Sequence, residues 1–119
     1  MKVIKTLTRL YVSDLDSALL FYENLLNVKL KLRFSYPELN LELAEAGNFL
    51  LIAGSEEALK PFQDTLATLL VDSVEEFKAH LEASGAKVLR GPRQVPTGKN
   101  MTVKHPDGSI MEYVEHSQT

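Results

Sequence analysis

The hydrophobic and polar positions at the start of the chain follow first the pattern of a strand and then that of a helix. Val3–Val12 is rich in β-branched and apolar residues with few breakers, which favours a strand. Ser13 and Asp14 supply a helix cap, and Asn27 is suited to end the helix. Between them, apolar residues recur at helical spacing over about three turns. These are Leu15, Ala18, Leu19, Tyr22, Leu25 and Leu26.

Three strand-like segments follow, divided by breakers at Pro37 and Gly47. They lie near Val28–Tyr36, Glu38–Ala44 and Asn48–Ala53. The next stretch, Gly54–Asp64, is polar and contains Pro61. We therefore predict a linker there, with a helical turn at Glu56–Lys60.

The second half of the chain repeats the order of the first. Thr65–Val71 predicts a strand, and Ser73 with Glu76 forms a capping box for a helix. Gly85 suits the left-handed end of that helix. Its predicted buried stripe consists of Val74, Phe77 and Leu81. Three strands are then predicted at Lys87–Arg90, Asn100–His105 and Ser109–Glu115, with a loop at Gly91–Lys99.

Sliding the chain by 59 residues lays Val12 on Val71 and aligns the two halves. Each half has the order β-α-β-β-β, and such a unit buries only one side of its sheet until it packs against a second copy. We predict an α+β fold in which two modules form a curved, mixed sheet with helices outside and a cleft inside. A single domain would hold module 1 at about residues 1–54, a linker at 55–64 and module 2 at about 65–119.

Composition narrows the classes of function. The 119 residues are 45% hydrophobic and 24% charged, as in ordinary globular domains. The net charge of −3 argues against nucleic acid as the main partner. The absence of Cys excludes disulfides and thiolate sites. Because no apolar run could span a bilayer and the N-terminus lacks the apolar region of a secretory signal, we expect a cytoplasmic protein without a membrane partner.

The stretch His105–Val114 holds the most informative chemistry. Pro106, Asp107 and Gly108 predict a turn, and a strand rich in β-formers follows it. Alternation along that strand places Glu112 on one face with the apolar residues Ile110 and Val114. Glu112 is therefore either a structural carboxylate that pairs with a nearby cation, Arg9 or Lys104, or the charge of an apolar pocket.

Two segments carry a resemblance to a known family. They are Tyr11-Val12-Ser13-Asp14-Leu15-Asp16-Ser17-Ala18 running into Phe21-Tyr22, and His105-Pro106-Asp107-Gly108 running to Glu112. Val71-Asp72-Ser73-Val74-Glu75-Glu76 supports them in the second half. Over nearly its whole length, the chain resembles the vicinal oxygen chelate superfamily, which includes glyoxalase I, extradiol dioxygenases, and fosfomycin- and bleomycin-resistance proteins. The resemblance implies the two-module fold, whereas function has to be argued from the site.

In metal-dependent members of that family, the resemblance implies four ligand positions on the cleft face of the sheet. In this chain they fall on Leu7, Leu51 (give or take a residue), Leu66 and Glu112, of which only the last can donate a lone pair. The three histidines, His80, His105 and His116, are placed too far apart to share an ion. Since a divalent cation needs three or four protein ligands, we expect no metal ion and no other cofactor.

The same positions predict an apolar cup that would hold a small apolar or aromatic molecule. Strand parity adds polar side chains to the face that carries Glu112. The predicted ligand-binding residues are Leu7, Arg9, Tyr11, Leu51, Leu66, Asn100, Thr102 and Glu112. We interpret the cationic residues of the second half as a solvated loop. They are Lys87, Arg90, Arg93, Lys99 and Lys104.

The leading hypothesis is a metal-free small-molecule-binding protein that resembles bleomycin-resistance proteins and works by sequestration. The resemblance also implies a homodimer, because a partner chain completes the cleft in many members. A competing hypothesis is a metal-dependent lyase, isomerase or dioxygenase with an unrecognised ligand set. A third is metal-free proton transfer in which Glu112 is the base.

Overall fold

The strands and helices follow the order that the sequence predicts. The computed structural model describes residues 1–117. Its strands are β1 (Val3–Val12), β2 (Leu32–Tyr36), β3 (Leu41–Ala46), β4 (Phe49–Ala53), β5 (Thr65–Val71), β6 (Lys87–Val95), β7 (Gly98–Lys104) and β8 (Ile110–His116). Its α-helices are α1 (Leu15–Leu26), α2 (Glu56–Leu59) and α3 (Val74–Ala83). Short 3-10 turns lie at Pro37–Leu39 and Lys60–Phe62. None of the described helices is both long and apolar enough to span a membrane.

The chain divides into two compact units. The N-terminal unit is Thr8–Asp64, and the C-terminal unit combines Met1–Leu7 with Thr65–Thr119. Strand β1 therefore begins in one unit and ends in the other. The stretch predicted as a linker belongs to the N-terminal unit, where it forms α2 and the turn after it.

The N-terminal unit is a mixed sheet with α1 packed on one face. Its strand order is β2-β3-β4-β1, with β4 and β1 parallel and the other pairs antiparallel. The core under α1 has a buried group of residues from α1, β3 and β4. That group is Leu15, Leu19, Ala44, Ala46, Leu51 and Ala53. Leu10 and Val12 of β1 pack against it, which leaves Arg9 and Tyr11 on the opposite face.

The C-terminal unit repeats this plan. Its strand order is β1-β5-β8-β7-β6, with β5 and β8 parallel and β8-β7-β6 antiparallel. Helix α3 covers one face through a buried group from α3, β5, β7 and β8. That group is Val71, Val74, Phe77, Met101, Val103 and Tyr113. Two β-α-β-β-β modules with mixed sheets confirm the predicted α+β fold class.

Local sequence signals set several element boundaries. Asn27 ends α1 in the left-handed conformation with φ 54°, and Gly85 follows α3 with φ 92°. The Ser73 hydroxyl caps α3 by accepting a hydrogen bond from the Glu76 N–H. In the turn before β8, the Asp107 carboxylate accepts a hydrogen bond from the Ser109 N–H at 2.9 Å. These contacts confirm the two helix ends, the Ser73 cap and the turn, whereas Asp14 precedes α1 without forming the predicted side-chain cap.

The predicted loop at Gly91–Lys99 is wrong, because most of it is strand. β6 runs on to Val95 and β7 begins at Gly98. Two register shifts in the β6–β7 ladder, between Val88 and Arg90 and between Arg90 and Arg93, take up the extra residues. A bulge on an edge strand tolerates Pro, which cannot donate to the ladder. Gly91 and Pro92, which favoured the prediction of a loop, are therefore compatible with a strand.

Candidate functional site

The two faces of the C-terminal sheet differ in chemistry. Helix α3 covers the face with Met101, Val103 and Tyr113. The opposite face, here called the Glu112 face, carries the alternate residues of β5, β7 and β8. Those residues are Thr65, Thr68, Leu70, Asn100, Thr102, Ile110, Glu112 and Val114. The structure thus brings three predicted site residues, Asn100, Thr102 and Glu112, to one surface.

Glu112 is held by neutral donors on the two neighbouring strands. The Thr68 hydroxyl donates to Glu112 Oε1 at 2.8 Å, and the Asn100 side-chain amide donates to Glu112 Oε2 at 3.0 Å. Thr68 lies directly opposite Glu112 on β5, and Thr102 lies directly opposite it on β7. Both threonines are buried, whereas Glu112 is half-buried. The carboxylate is therefore held in position on a side chain that is not fully buried.

Lys104 is not the counter-ion that the sequence allowed. It lies on the Glu112 face opposite Ile110, but it makes no ion pair with any residue in the described range 1–117. Thr68 and Asn100 donate to the carboxylate, and its pairing with Arg9 stays a prediction.

Two other predicted residues, Arg9 and Tyr11, meet in the N-terminal unit. The Arg9 Nε donates to the Tyr11 hydroxyl at 2.8 Å, and the guanidinium lies 5.5 Å from the Tyr11 ring centroid. The Tyr11 hydroxyl donates in turn to the Phe62 carbonyl oxygen. This chain of contacts fixes both side chains on the face opposite α1.

The structure corrects the placement of two predicted apolar residues. Leu51 lies opposite Leu10 in the β1–β4 ladder and is fully buried under α1, so its strand parity was off by one. Its neighbours Leu50 and Ile52 occupy the other face. Leu66 falls in the register shift between Thr65 and Ala67 and is 57% exposed, because the bulge removes it from the ladder.

Leu7 is fully buried in β1, and its contact with a ligand stays a prediction. Sequence reasoning missed Thr68, since a threonine within an apolar strand gives no chemical signal of its own. It also missed Glu45, a carboxylate only 2% exposed on β3. The small neighbours Ala44 and Ala46 face α1, and that alternation could have placed Glu45 on the opposite face.

The side chains around Glu112 do not fit a divalent cation. Among residues 1–117, no three His, Asp or Glu side chains are grouped closely enough to hold an ion. Asn100 directs its amide nitrogen, rather than its oxygen, at the carboxylate. A Mg²⁺, Ca²⁺ or Zn²⁺ site needs at least three convergent oxygen or nitrogen ligands, and here Glu112 would be one ligand alone.

The histidine of the turn before β8 belongs to the α3 side of the sheet. His105 Nε2 lies 2.7 Å from the Tyr113 hydroxyl, and the two rings are 5.9 Å apart. Burial raises the pKa of Tyr113. Because Tyr113 and Glu112 are successive residues of β8, their side chains occupy opposite faces, and His105 is not part of the Glu112 site.

Comparison with known proteins agrees with this architecture. A crystal structure of an uncharacterized protein from Methanosarcina mazei is 58% identical, covers 100% of this chain and 97% of that chain, and has a TM-score of 0.95. The crystal structure of methylmalonyl-CoA epimerase from Mycobacterium tuberculosis is 18% identical in sequence. The match covers 98% of this chain and 90% of that chain, with a TM-score of 0.76. The methylmalonyl-CoA epimerase from Streptomyces coelicolor is 17% identical, and the match covers 98% of this chain and 100% of that chain with a TM-score of 0.74. At those identities, the epimerases share the fold.

No curated protein gives a significant match. The family profile described as the Glyoxalase/Bleomycin resistance protein/Dioxygenase superfamily matches residues 4–113, which include both β-α-β-β-β modules. The chain therefore belongs to the glyoxalase/bleomycin resistance protein/dioxygenase superfamily.

Proposed function

We propose that this protein binds a small organic molecule on the Glu112 face without using a metal ion. The observation that supports the proposal is the half-buried Glu112, whose carboxylate is held by Thr68 and Asn100. A carboxylate fixed in this way can accept a hydrogen bond from a hydroxyl, amine or amide of a ligand without first losing side-chain entropy. Its role is to orient the ligand.

The half-buried Ile110, which lies beside Glu112 on the same face of β8, supplies the apolar contact. Leu70 and Val114 on that face are only 7% exposed and form part of the core. Contact with ligand carbon contributes roughly 25 cal/mol per Å² of apolar surface removed from water. A ligand with an apolar or aromatic body and one hydrogen-bond donor matches this surface, and its retention without reaction corresponds to sequestration.

The first experiment is a thermal-shift screen of aromatic and aliphatic alcohols, amines and amides against the wild type, Glu112→Gln and Glu75→Gln. We expect Glu112→Gln to weaken binding of the best compound about tenfold, because a charge-assisted hydrogen bond becomes a neutral one. Glu75 is exposed in the first turn of α3, so Glu75→Gln matches the change in charge and should bind as the wild type does. Equal binding by Glu112→Gln would contradict the proposal.

A second candidate is metal-free proton transfer by Glu112, in keeping with a fold shared with epimerases. Exchange of ligand C–H for deuterium, followed by NMR in D2O, separates the two candidates. Sequestration predicts no exchange above the protein-free rate. Exchange that disappears in Glu112→Gln while affinity is retained would establish catalysis instead.

A metal-dependent lyase, isomerase or dioxygenase is the remaining alternative. The donor set around Glu112 argues against it, and elemental analysis of the purified protein provides the test.

A homodimer also remains a proposal from the family resemblance. Exposed apolar side chains on α1, Leu20, Phe21 and Leu25, are a feature that self-association would cover.

A further inference from the structure

Four cationic side chains share the Glu112 face at the outer edge of the C-terminal sheet. In the antiparallel β6–β7 ladder, Lys87 lies opposite Lys104, Arg90 opposite Thr102, and Arg93 opposite Asn100. Directly opposed residues of such a ladder project from the same face. Since Asn100 and Thr102 lie on the Glu112 face, Lys87, Arg90, Arg93 and Lys104 lie there too. We call these four residues the cationic strip.

The register shifts in β6 create this strip. Lys87, Arg90 and Arg93 are three residues apart, and in a regular strand that spacing would alternate them between the two faces. The shifts between Val88 and Arg90 and between Arg90 and Arg93 restore the same face each time. The interpretation of these cations as a solvated loop therefore missed their common orientation.

Three of the four strip residues have no ion pair in the described part of the chain. Lys87, Arg93 and Lys104 are exposed, and none of them makes an ion pair within the described residues 1–117. Lys87 and Lys104 are also directly opposed, an arrangement of like charges that destabilises a sheet. A surface of this kind lowers its electrostatic energy when an anion binds.

We propose that the cationic strip binds an oxyanion, a phosphate or carboxylate, on the small molecule that Glu112 orients. This inference rests on the proposed function and adds the class of ligand. Strand β6 is two strands away from β8, so the anion would lie about 10 Å from the group that contacts Glu112. Arg93 beside Asn100 provides a guanidinium, whose paired N–H groups match the geometry of both oxyanions.

A small ligand fits this surface better than a polymer does. The chain carries a net charge of −3, which disfavours the phosphate backbone of a nucleic acid. None of the residues that define the strip or the Glu112 face is aromatic, so unpaired bases would find no stacking surface there. The continuous path from the strip through Asn100 to Glu112 instead matches one molecule with an anionic end.

The test is an NMR titration of the full-length 15N-labelled protein with phenyl phosphate, benzoate and phenol. We expect phenyl phosphate and benzoate to shift amide signals of β6 and β7 and to bind more tightly than phenol. Arg93→Gln combined with Lys104→Gln should raise the Kd of phenyl phosphate about tenfold or more, while the Kd of phenol stays constant. Comparison of phenyl phosphate with benzoate identifies which oxyanion is preferred.

Lys99→Gln is the matched control. Lys99 lies in the same hairpin but opposite Gln94 and Glu115, on the α3 side of the sheet. Lys99→Gln removes one positive charge but leaves the strip unchanged, so the Kd of phenyl phosphate should change less than about twofold. An equal loss in Lys99→Gln and in a single Arg93→Gln variant would show a general charge effect and overturn the proposal.

Further outcomes separate the possible failures. If phenyl phosphate binds no better than phenol, the strip proposal fails while the Glu112 proposal stands. If phenyl phosphate binds at β6 and β7 but Glu112→Gln leaves phenol binding unchanged, the Glu112 proposal fails. Tighter binding of an oligonucleotide than of phenyl phosphate, or loss of a dimer in sedimentation of the double variant, would assign the strip to a different partner.

Discussion

The two units repeat one topology but present different surfaces. On α1, the side chains of Leu20, Phe21 and Leu25 are 60–62% exposed. On α3, the outer face instead carries an ion pair between Lys78 and Glu82, at 3.2 Å. A repeated fold therefore preserves the buried stripe of each helix while the outer surface is free to change.

The sheet faces opposite the helices differ in the same way. In the N-terminal unit, Leu50, Ile52 and the buried Glu45 lie with Arg9 and Tyr11 on that face. In the C-terminal unit, threonines and Asn100 surround Glu112. The face under each helix carries a hydrophobic core group, whereas the opposite face mixes buried apolar residues with polar groups, which in the C-terminal unit include Thr68, Asn100 and Glu112.

The largest expected effect contrasts a buried leucine of the N-terminal unit with an exposed leucine of the C-terminal unit. Leu51→Ala should reduce the free energy of unfolding by about 2–5 kcal/mol, because it leaves a cavity under α1. Leu66→Ala, at the position aligned with Leu7, should change it by less than about 0.5 kcal/mol, because the side chain is exposed. Urea unfolding measures both. A large loss in Leu66→Ala would mean that an interface covers it.

An intermediate effect distinguishes the starts of the two long helices. The Ser73 hydroxyl bonds to a backbone N–H of α3, whereas the Asp14 carboxylate makes no such bond to α1. Ser73→Ala should lower the free energy of unfolding by about 1 kcal/mol, and Asp14→Ala by a few tenths of that. The urea midpoints of the two variants, measured side by side, test this difference. Equal shifts of the two midpoints would contradict it.

The smallest expected effect concerns the stability of the protein at low pH. Backbone N–H groups of Lys2 and Ser109 lower the pKa values of Asp72 and Asp107, and both carboxyls lie in the C-terminal unit. A pKa lowered by folding stabilises the protein above the pKa of the unfolded chain, and that contribution is lost as pH falls through the folded value. Carboxyl 13C NMR titration should show both pKa values below that of ordinary Asp. In Asp107→Asn, the hairpin amides should lose the corresponding pH dependence.

Local signals explain why most of the fold was predictable. Asn27, Gly85 and the turn at Asp107 act within a few residues of themselves, and the structure confirms each of them. The sequence repeat also predicted equivalent strand ends in the two halves. Val12 and Val71 close β1 and β5, and a helix begins three residues after each.

The site was less predictable because it depends on register. A shift of one residue moves a strand side chain to the other face, which explains the misplacement of Leu51. The bulge at Leu66 depends on pairing with β8, which is distant in sequence, and the bulges in β6 depend on its register with the neighbouring strand β7. Glu112 was placed correctly because its own strand is regular from the turn onward.

The C-terminal unit is assembled from two stretches that residues 8–64 separate in sequence. The Lys2 backbone exchanges hydrogen bonds with Asp72, which ties the chain start to the end of β5. During synthesis, residues 1–7 emerge before residues 8–64 and meet β5 only after the whole N-terminal unit has emerged. A fragment that starts at residue 65 would lack one strand of its sheet, and the two halves of this repeat are not separable by a single cut.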